Sequence, residues 1–285
     1  MTRILLIETS AALCSVALGE DGRCVAYKES TQPRSHAAMT ALLIEQLLQE
    51  RGLRVQDCNA VCVSKGPGSY TGLRVGVSSA KGLCFGAGIP LLAVGTPDLL
   101  VAQAIAAGTG VTAGGIGGGM AARDGEMPSG LSGLPNGGWD AIIPVIDARR
   151  DEVYTAVYTP QLTPCPESAE TTDRTTICPT ATGAAPYQAA GPVRSLIVGQ
   201  DDWGISLDGR AVLFIGDAAE KCRRLLQGRV PDLSRCRFVQ TLPRADAMAA
   251  LAQEAFDNKK FEDVAYFEPF YLKDFVATTP KKSLF

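Results

Sequence analysis

VSKGPGSYTGLRVGVSSAKGLCFGAG, residues 63–88, runs from a β-branched stretch into a long amphipathic one through a loop containing Gly66, Gly68 and Gly72. It then keeps glycine at 76, 82, 86 and 88, where the pattern has turned helical. Strand, glycine turn and helix in that order are the building unit of α/β domains. The loop has two readings. Its amides between Gly68 and Gly72 face an anion at the start of the helix, or it makes a tight strand-to-helix connection. Neither phosphate fingerprint fits: the loop lacks a GK dipeptide, and GPGSYTG has one residue too many for GxGxxG, with proline inside the turn.

On a wheel of about 100° per residue, Leu73, Val77, Ala80, Cys84 and Ala87 make a core stripe. Gly72, Val75, Ser79, Gly82 and Gly86 make a second stripe of mostly small residues. A helical glycine costs roughly 0.5–1 kcal/mol relative to alanine, so this stripe implies close approach by another backbone, from the same chain or from a partner. The preceding helix, Ala37 to Arg51 with Ser35 as N-cap, carries Ala37, Ala41, Ile44 and Leu48 on one stripe and Met39, Leu43 and Leu47 on another. One stripe suffices to dock on a sheet. The other is covered by a neighbour in the chain or by a second protein.

Working outward, residues 3–8, 15–19 and 23–29 read as strands in a meander, with EDG as a hairpin turn. Residues 60–64 and 90–94 read as strands, and Pro97 to Ala107 as a helix opened by Thr96. Residues 108–138 contain twelve glycines and read as a mobile insert. A second α/β region follows: two strands joined by a tight turn near Arg149 to Asp151, an exposed Thr/Pro/Ala-rich insert over about 160–192, strand–turn–helix in RAVLFIGDAAEKCRRLL, and a helix after Pro243. The expected domains are 1–107 and 139–285. The tail FEPFYLKDFVATTPKKSLF lacks strong periodicity.

Composition restricts the chemistry. The 285 residues carry 27 Lys+Arg against 30 Asp+Glu, a net charge of −3, which disfavours direct nucleic-acid binding. A single histidine, His36, and nine cysteines without a CxxC pair argue against a transition-metal site, and no metal or other cofactor is expected. The cysteine usage reads as a reducing, cytoplasmic setting. Glu8 breaks the opening apolar run, which reads as a strand and not as a signal peptide, and no segment has the apolar length to span a bilayer.

Four stretches, ILLIETSAALCSVAL, GPGSYTGLRVGVSSAKGL, VIDARRDEVY and EPFYLKDF, together resemble the TsaB (YeaZ) family. The resemblance spans residues 1 to about 107 and about 140 to the end; the two inserts have no counterpart. It implies an actin/Hsp70-like (ASKHA) fold of two related α/β subdomains. It also implies a non-catalytic role in tRNA threonylcarbamoyladenosine synthesis: a heterodimer with TsaD, joined by the ATPase TsaE, and a homodimer when alone. The implied dimer surface uses the first two long helices, here His36, Met39, Leu43 and Leu47 with Gly72, Val75, Gly76, Ser79, Gly82 and Leu83. Glu8, Thr9 and Ser10 stand where competent relatives hold metal and phosphate, and read as a remnant. Asp147 and Glu152 read as salt-bridged turn residues. The competing reading is an independent ASKHA-type kinase or glycopeptidase-like hydrolase, which requires nucleotide binding by the chain alone.

Overall fold

The computed structural model describes residues 1–32, 36–108, 138–161 and 187–273. The glycine-rich stretch, most of the Thr/Pro-rich insert, Ser35 and the last twelve residues lie outside them.

The first lobe is a five-stranded sheet. Strands β1 (Arg3–Glu8), β2 (Cys14–Glu20) and β3 (Arg23–Ser30) form an antiparallel meander, and β4 (Ala60–Gly66) and β5 (Leu91–Gly95) extend β1 in parallel, giving the order β3-β2-β1-β4-β5. Helix α1 (His36–Glu50) precedes β4 and α2 (Tyr70–Ala87) follows it. The β1 run is apolar at every position from Ile4 to Ile7 because both faces are buried. Leu5 and Ile7 face Ile44, Leu47, Leu48, Val77 and Ala80 of the two helices. Ile4 and Leu6 face Leu99, Met248, Ala249 and Ala252 on the opposite side.

The second lobe repeats the order. Strands β6 (Ala141–Asp147) and β7 (Glu152–Thr155) form a hairpin; β8 (Tyr158–Pro160) and β9 (Tyr187–Ala189) branch off it. With β10 (Arg194–Ile197), β11 (Val212–Gly216) and β12 (Arg237–Gln240) the main path is β10-β7-β6-β11-β12, and β6, β11 and β12 run parallel. Helix α4 (Ala219–Leu226) joins β11 to β12. Where the first lobe has α1, this lobe has the loop 198–211, whose Trp203 packs edge-on against Phe214 at 5.3 Å.

Two further helices join the lobes. Helix α3 (Thr96–Gly108) places Leu99 on the first sheet and Leu100, Val101 and Ala104 against Ile142, Ile146 and Leu213 of the second. Helix α5 (Ala249–Asp257), preceded by a 3-10 turn from Ala245, returns from the second lobe to cover the first sheet. Among the described residues, no helix is long and apolar enough to cross a membrane.

The expected elements of the first lobe are present within about two residues. The sequence reading lacked β9, β10 and β12, which are short and largely exposed. The two stripes assigned to α1 need correction: Leu43, Ile44, Leu47 and Leu48 form one broad buried face, while Ala37 and Ala41 are exposed.

Candidate functional site

Helix α2 begins at the N-cap Ser69, whose hydroxyl accepts from Gly72 N at 3.3 Å, and ends at Gly88, which adopts φ 69°. Its first turn is pinned to the loop after β1. Ser69 N donates to Ser10 O at 2.7 Å, and Thr9 Oγ1 donates to Gly72 O at 2.8 Å. A Cβ on Gly72 would overlap the Thr9 carbonyl, one on Gly76 the Thr9 hydroxyl, and one on Gly68 the Ser10 carbonyl. The amides of Ser69 and Gly72 are thus committed within the chain, and the glycine loop grips the chain's own first hairpin.

Beneath that contact, Glu8 is fully buried at the end of β1. Its Oε1 accepts from Ser10 N at 2.5 Å, while Oε2 and the hydroxyls of Ser10 and Ser64 lack well-formed partners. Burial pushes the carboxyl above its ordinary pKa, more than the neighbouring Ser10 and Ser64 pull it down. An enclosed acid whose charged form is disfavoured by burial is poorly placed to hold a cation.

In the second lobe, Asp147 ends β6 as Glu8 ends β1. It is half-exposed and paired with Lys221 at 2.8 Å; Lys221 Nζ also donates to the carbonyls of Arg150 and Glu152 at 3.1 and 2.8 Å. Asp217 accepts from Asp147 N at 2.8 Å, and burial raises its pKa. Glu152 is paired with Lys273. These ion pairs fit the reading of Asp147 and Glu152 as turn residues. Among the described residues, no group of three or more His, Cys, Asp or Glu side chains comes together to hold a metal.

The residues expected at a partner surface divide. Leu43 and Leu47 are buried in the core between α1, α2 and the first sheet, and Gly72 and Gly76 are sealed against Thr9. They are corrected to internal packing residues: Leu43→Glu or Gly76→Arg would break the fold itself. Met39, Val75, Ser79 and Leu83 are half-buried and Gly82 is exposed. His36 opens α1, but its side chain lies outside the described set. Missed from the sequence were Leu42, 42% exposed, and Phe85, 86% exposed. Gly82 and Gly86, which flank Phe85 on the outer face of α2, would have no neighbour within 4 Å of an added Cβ. Plotting Phe85 on the wheel would have found it, since it falls about 120° from the centre of the core stripe and about 60° from Gly82.

Residues 29–115, which include α1, β4, α2, β5 and α3, match the family model described as TsaD, tRNA N6-adenosine threonylcarbamoyltransferase. The protein of Escherichia coli named tRNA threonylcarbamoyladenosine biosynthesis protein TsaB is 40% identical over 94 residues, 33% of this chain and 40% of that protein. Its namesake in Bacillus subtilis is 30% identical over 155 residues, 54% of each chain. The matched stretches of the chain are similar to the TsaB proteins. The matched stretches span only about half or less of these TsaB relatives. In fold the likeness runs along nearly the whole chain: YeaZ from Pseudomonas aeruginosa, 23% identical, superposes with a TM-score of 0.67 over 95% of this chain and all of that one. The repeated strand order gives this TsaB-like chain a mixed α/β fold of two related lobes, shared with YeaZ.

Proposed function

We propose that the chain acts in the formation of threonylcarbamoyladenosine on tRNA as a non-catalytic subunit, docking a TsaD-type transferase on the outer face of α1 and α2. The observation that carries this reading is the division of glycines within α2. Gly72 and Gly76 have an internal reason to lack a side chain, whereas Gly82 and Gly86 have none and flank an exposed phenylalanine. Open helical glycines beside large apolar side chains suit the close approach of a second helix.

The match of 29–115 to the TsaD model supports a partner carrying the same helix pair, so that the contact is pseudo-symmetric. The same face serves a homodimer when the partner is absent, and TsaE joins the assembled pair. Met39, Val75, Ser79, Gly82 and Leu83 remain in this surface, joined by Leu42, Phe85 and Gly86. The sealed Glu8 and the committed amides of Ser69 and Gly72 support the absence of chemistry in this chain.

Co-expression with TsaD of the same organism, followed by size-exclusion chromatography, tests the reading. Wild type is expected to co-elute with TsaD, while Gly82→Arg and Phe85→Glu elute separately with no loss of melting temperature. Co-elution of both variants would remove this face from consideration. Stoichiometric binding of ATP and magnesium by the isolated chain, measured by calorimetry, would favour an independent enzyme instead.

A further inference from the structure

After α5 the chain runs along the first lobe as a strap, held by Val264 and Phe267 against the first core and by a series of directional bonds. Glu262 N donates to Leu91 O of the edge strand β5 at 2.9 Å, and Lys81 Nζ of α2 donates to the carbonyls of Ala265 and Phe267 at 3.1 and 3.0 Å. Phe270 N donates to Lys65 O at 2.7 Å, and Phe270 O stands 2.9 Å from where a Cβ of Gly66 would be. Gly66 has φ 106°, a conformation suited to glycine, so the strap and the glycine loop are fitted to each other. The Tyr271 ring then lies 4.9 Å from that of Tyr70, with its hydroxyl 3.4 Å from Arg74 Nε. Two residues later Lys273 crosses to the other lobe and pairs with Glu152 at the start of β7, a carboxylate that also accepts from Ser195 Oγ.

The two lobe-to-lobe connections differ in kind. On the α3 side they are buried and apolar: Leu99 sits in one sheet's core and Leu100 in the other's, supported by Tyr158 OH donating to Asp98 at 2.6 Å and Ala245 N donating to Ser15 Oγ at 3.0 Å. At the strap the connection is an ion pair between side chains 40% and 23% exposed. Pairs this open to water are weak and are screened by salt, so the Lys273 end is the part of the strap that opens first.

We propose that residues 262–273 form a latch. Bound, it couples the glycine loop and the start of α2 to the 147–152 hairpin of the second lobe; released at Lys273, it frees both ends while the α3 side holds the lobes together.

Hydrogen exchange of the full chain tests the latch. In Lys273→Ala and in Glu152→Gln, amides of Phe270–Lys273 and of the 147–152 hairpin are expected to exchange about two- to five-fold faster than wild type, with Ile4–Ile7 unchanged. The charge swap Lys273→Glu with Glu152→Lys restores protection, and raising salt speeds exchange at these sites in wild type but not in the single variants. Wild-type protection in both single variants would overturn the latch. So would a loss that the swap does not restore, since the effect would then belong to the individual side chains and not to their pairing.

Discussion

The two lobes share a strand order but treat the same position oppositely. At the end of β1 the acid is Glu8, sealed beneath a glycine loop with its pKa raised by burial; at the end of β6 it is Asp147, half-exposed and paired with Lys221. The difference follows from what crosses each hairpin. In the first lobe, Gly68, Gly72 and Gly76 let α2 press onto the Thr9–Ser10 backbone and exclude water. In the second, α4 begins only after Asp217 and offers a lysine to the turn in place of a glycine face. Repeated topology thus fixes where an acid stands, while the adjoining helix decides whether it is sealed or left beside solvent and a lysine.

The largest effect is expected where the first hairpin is gripped. Gly72→Ala sets a methyl into the Thr9 carbonyl, which is backbone and cannot swing away. A loss of about 3 kcal/mol is expected in denaturant unfolding, the overpacking penalty outweighing the gain in helix propensity. Gly82→Ala, in the same helix but facing open space, is expected to gain roughly 0.5–1 kcal/mol. Equal effects at both sites would end the distinction between inner and outer glycines on which the docking face rests.

Next comes the buried acid. Because the folded-state pKa of Glu8 is raised by burial above its ordinary value of 4.5, the unfolded chain releases this proton at lower pH than the folded one. Stability therefore falls as pH rises through the window between the two values, and the penalty is absent below it. Glu8→Gln, whose amide can donate to the free hydroxyl oxygens of Ser10 and Ser64, is expected to melt above wild type at pH 7–8 and level with it in acid. A variant less stable than wild type at neutral pH would mean that Glu8 is ionised in the fold.

In the second lobe Lys221→Ala removes the pairing of Asp147 and two carbonyl contacts at once. Net contributions of such charged hydrogen bonds suggest a loss of about 2 kcal/mol, with hydrogen exchange quickening in the 147–152 hairpin before the sheet. Uniform loss across both lobes would contradict the local role.

Much of this arrangement was legible in the sequence, and the remainder was not for physical reasons. Arg3–Glu8 was read to the residue because a strand buried on both faces is an unbroken apolar run between polar ends. Strands β10 and β12 were missed because edge strands of four residues with exposed ends carry little hydrophobic signal. On α1, Leu43 and Leu47 looked like a surplus stripe, since a helix wedged between a sheet and a neighbouring helix buries a wider arc than one facing a sheet alone. Gly72 and Gly82 are indistinguishable by residue type; they lie about 80° apart on the helix, and only the tertiary path of Thr9 separates them. The strap has no period to read because its anchors are backbone groups and only two core-packed apolar side chains, Val264 and Phe267, too few to set a strand or helix repetition.

The smallest expected effect concerns the tip of the second hairpin. Arg149 and Arg150 adopt φ 70° and 49°, a left-handed pair without glycine. Each such residue costs roughly 1–2 kcal/mol relative to ordinary backbone, whereas Glu8–Ser10 in the first lobe contains no positive φ. Arg150→Gly relieves one of the two, keeps the carbonyl that accepts from Lys221, and loses an exposed side chain. Set against the unfolded-state entropy of glycine, a net gain of about 0.5 kcal/mol is expected, measurable as a higher denaturant midpoint at unchanged slope. A loss instead would mean that the Arg150 side chain stabilises the turn through contacts of its own, and that the second hairpin, like the first, is held by more than its backbone.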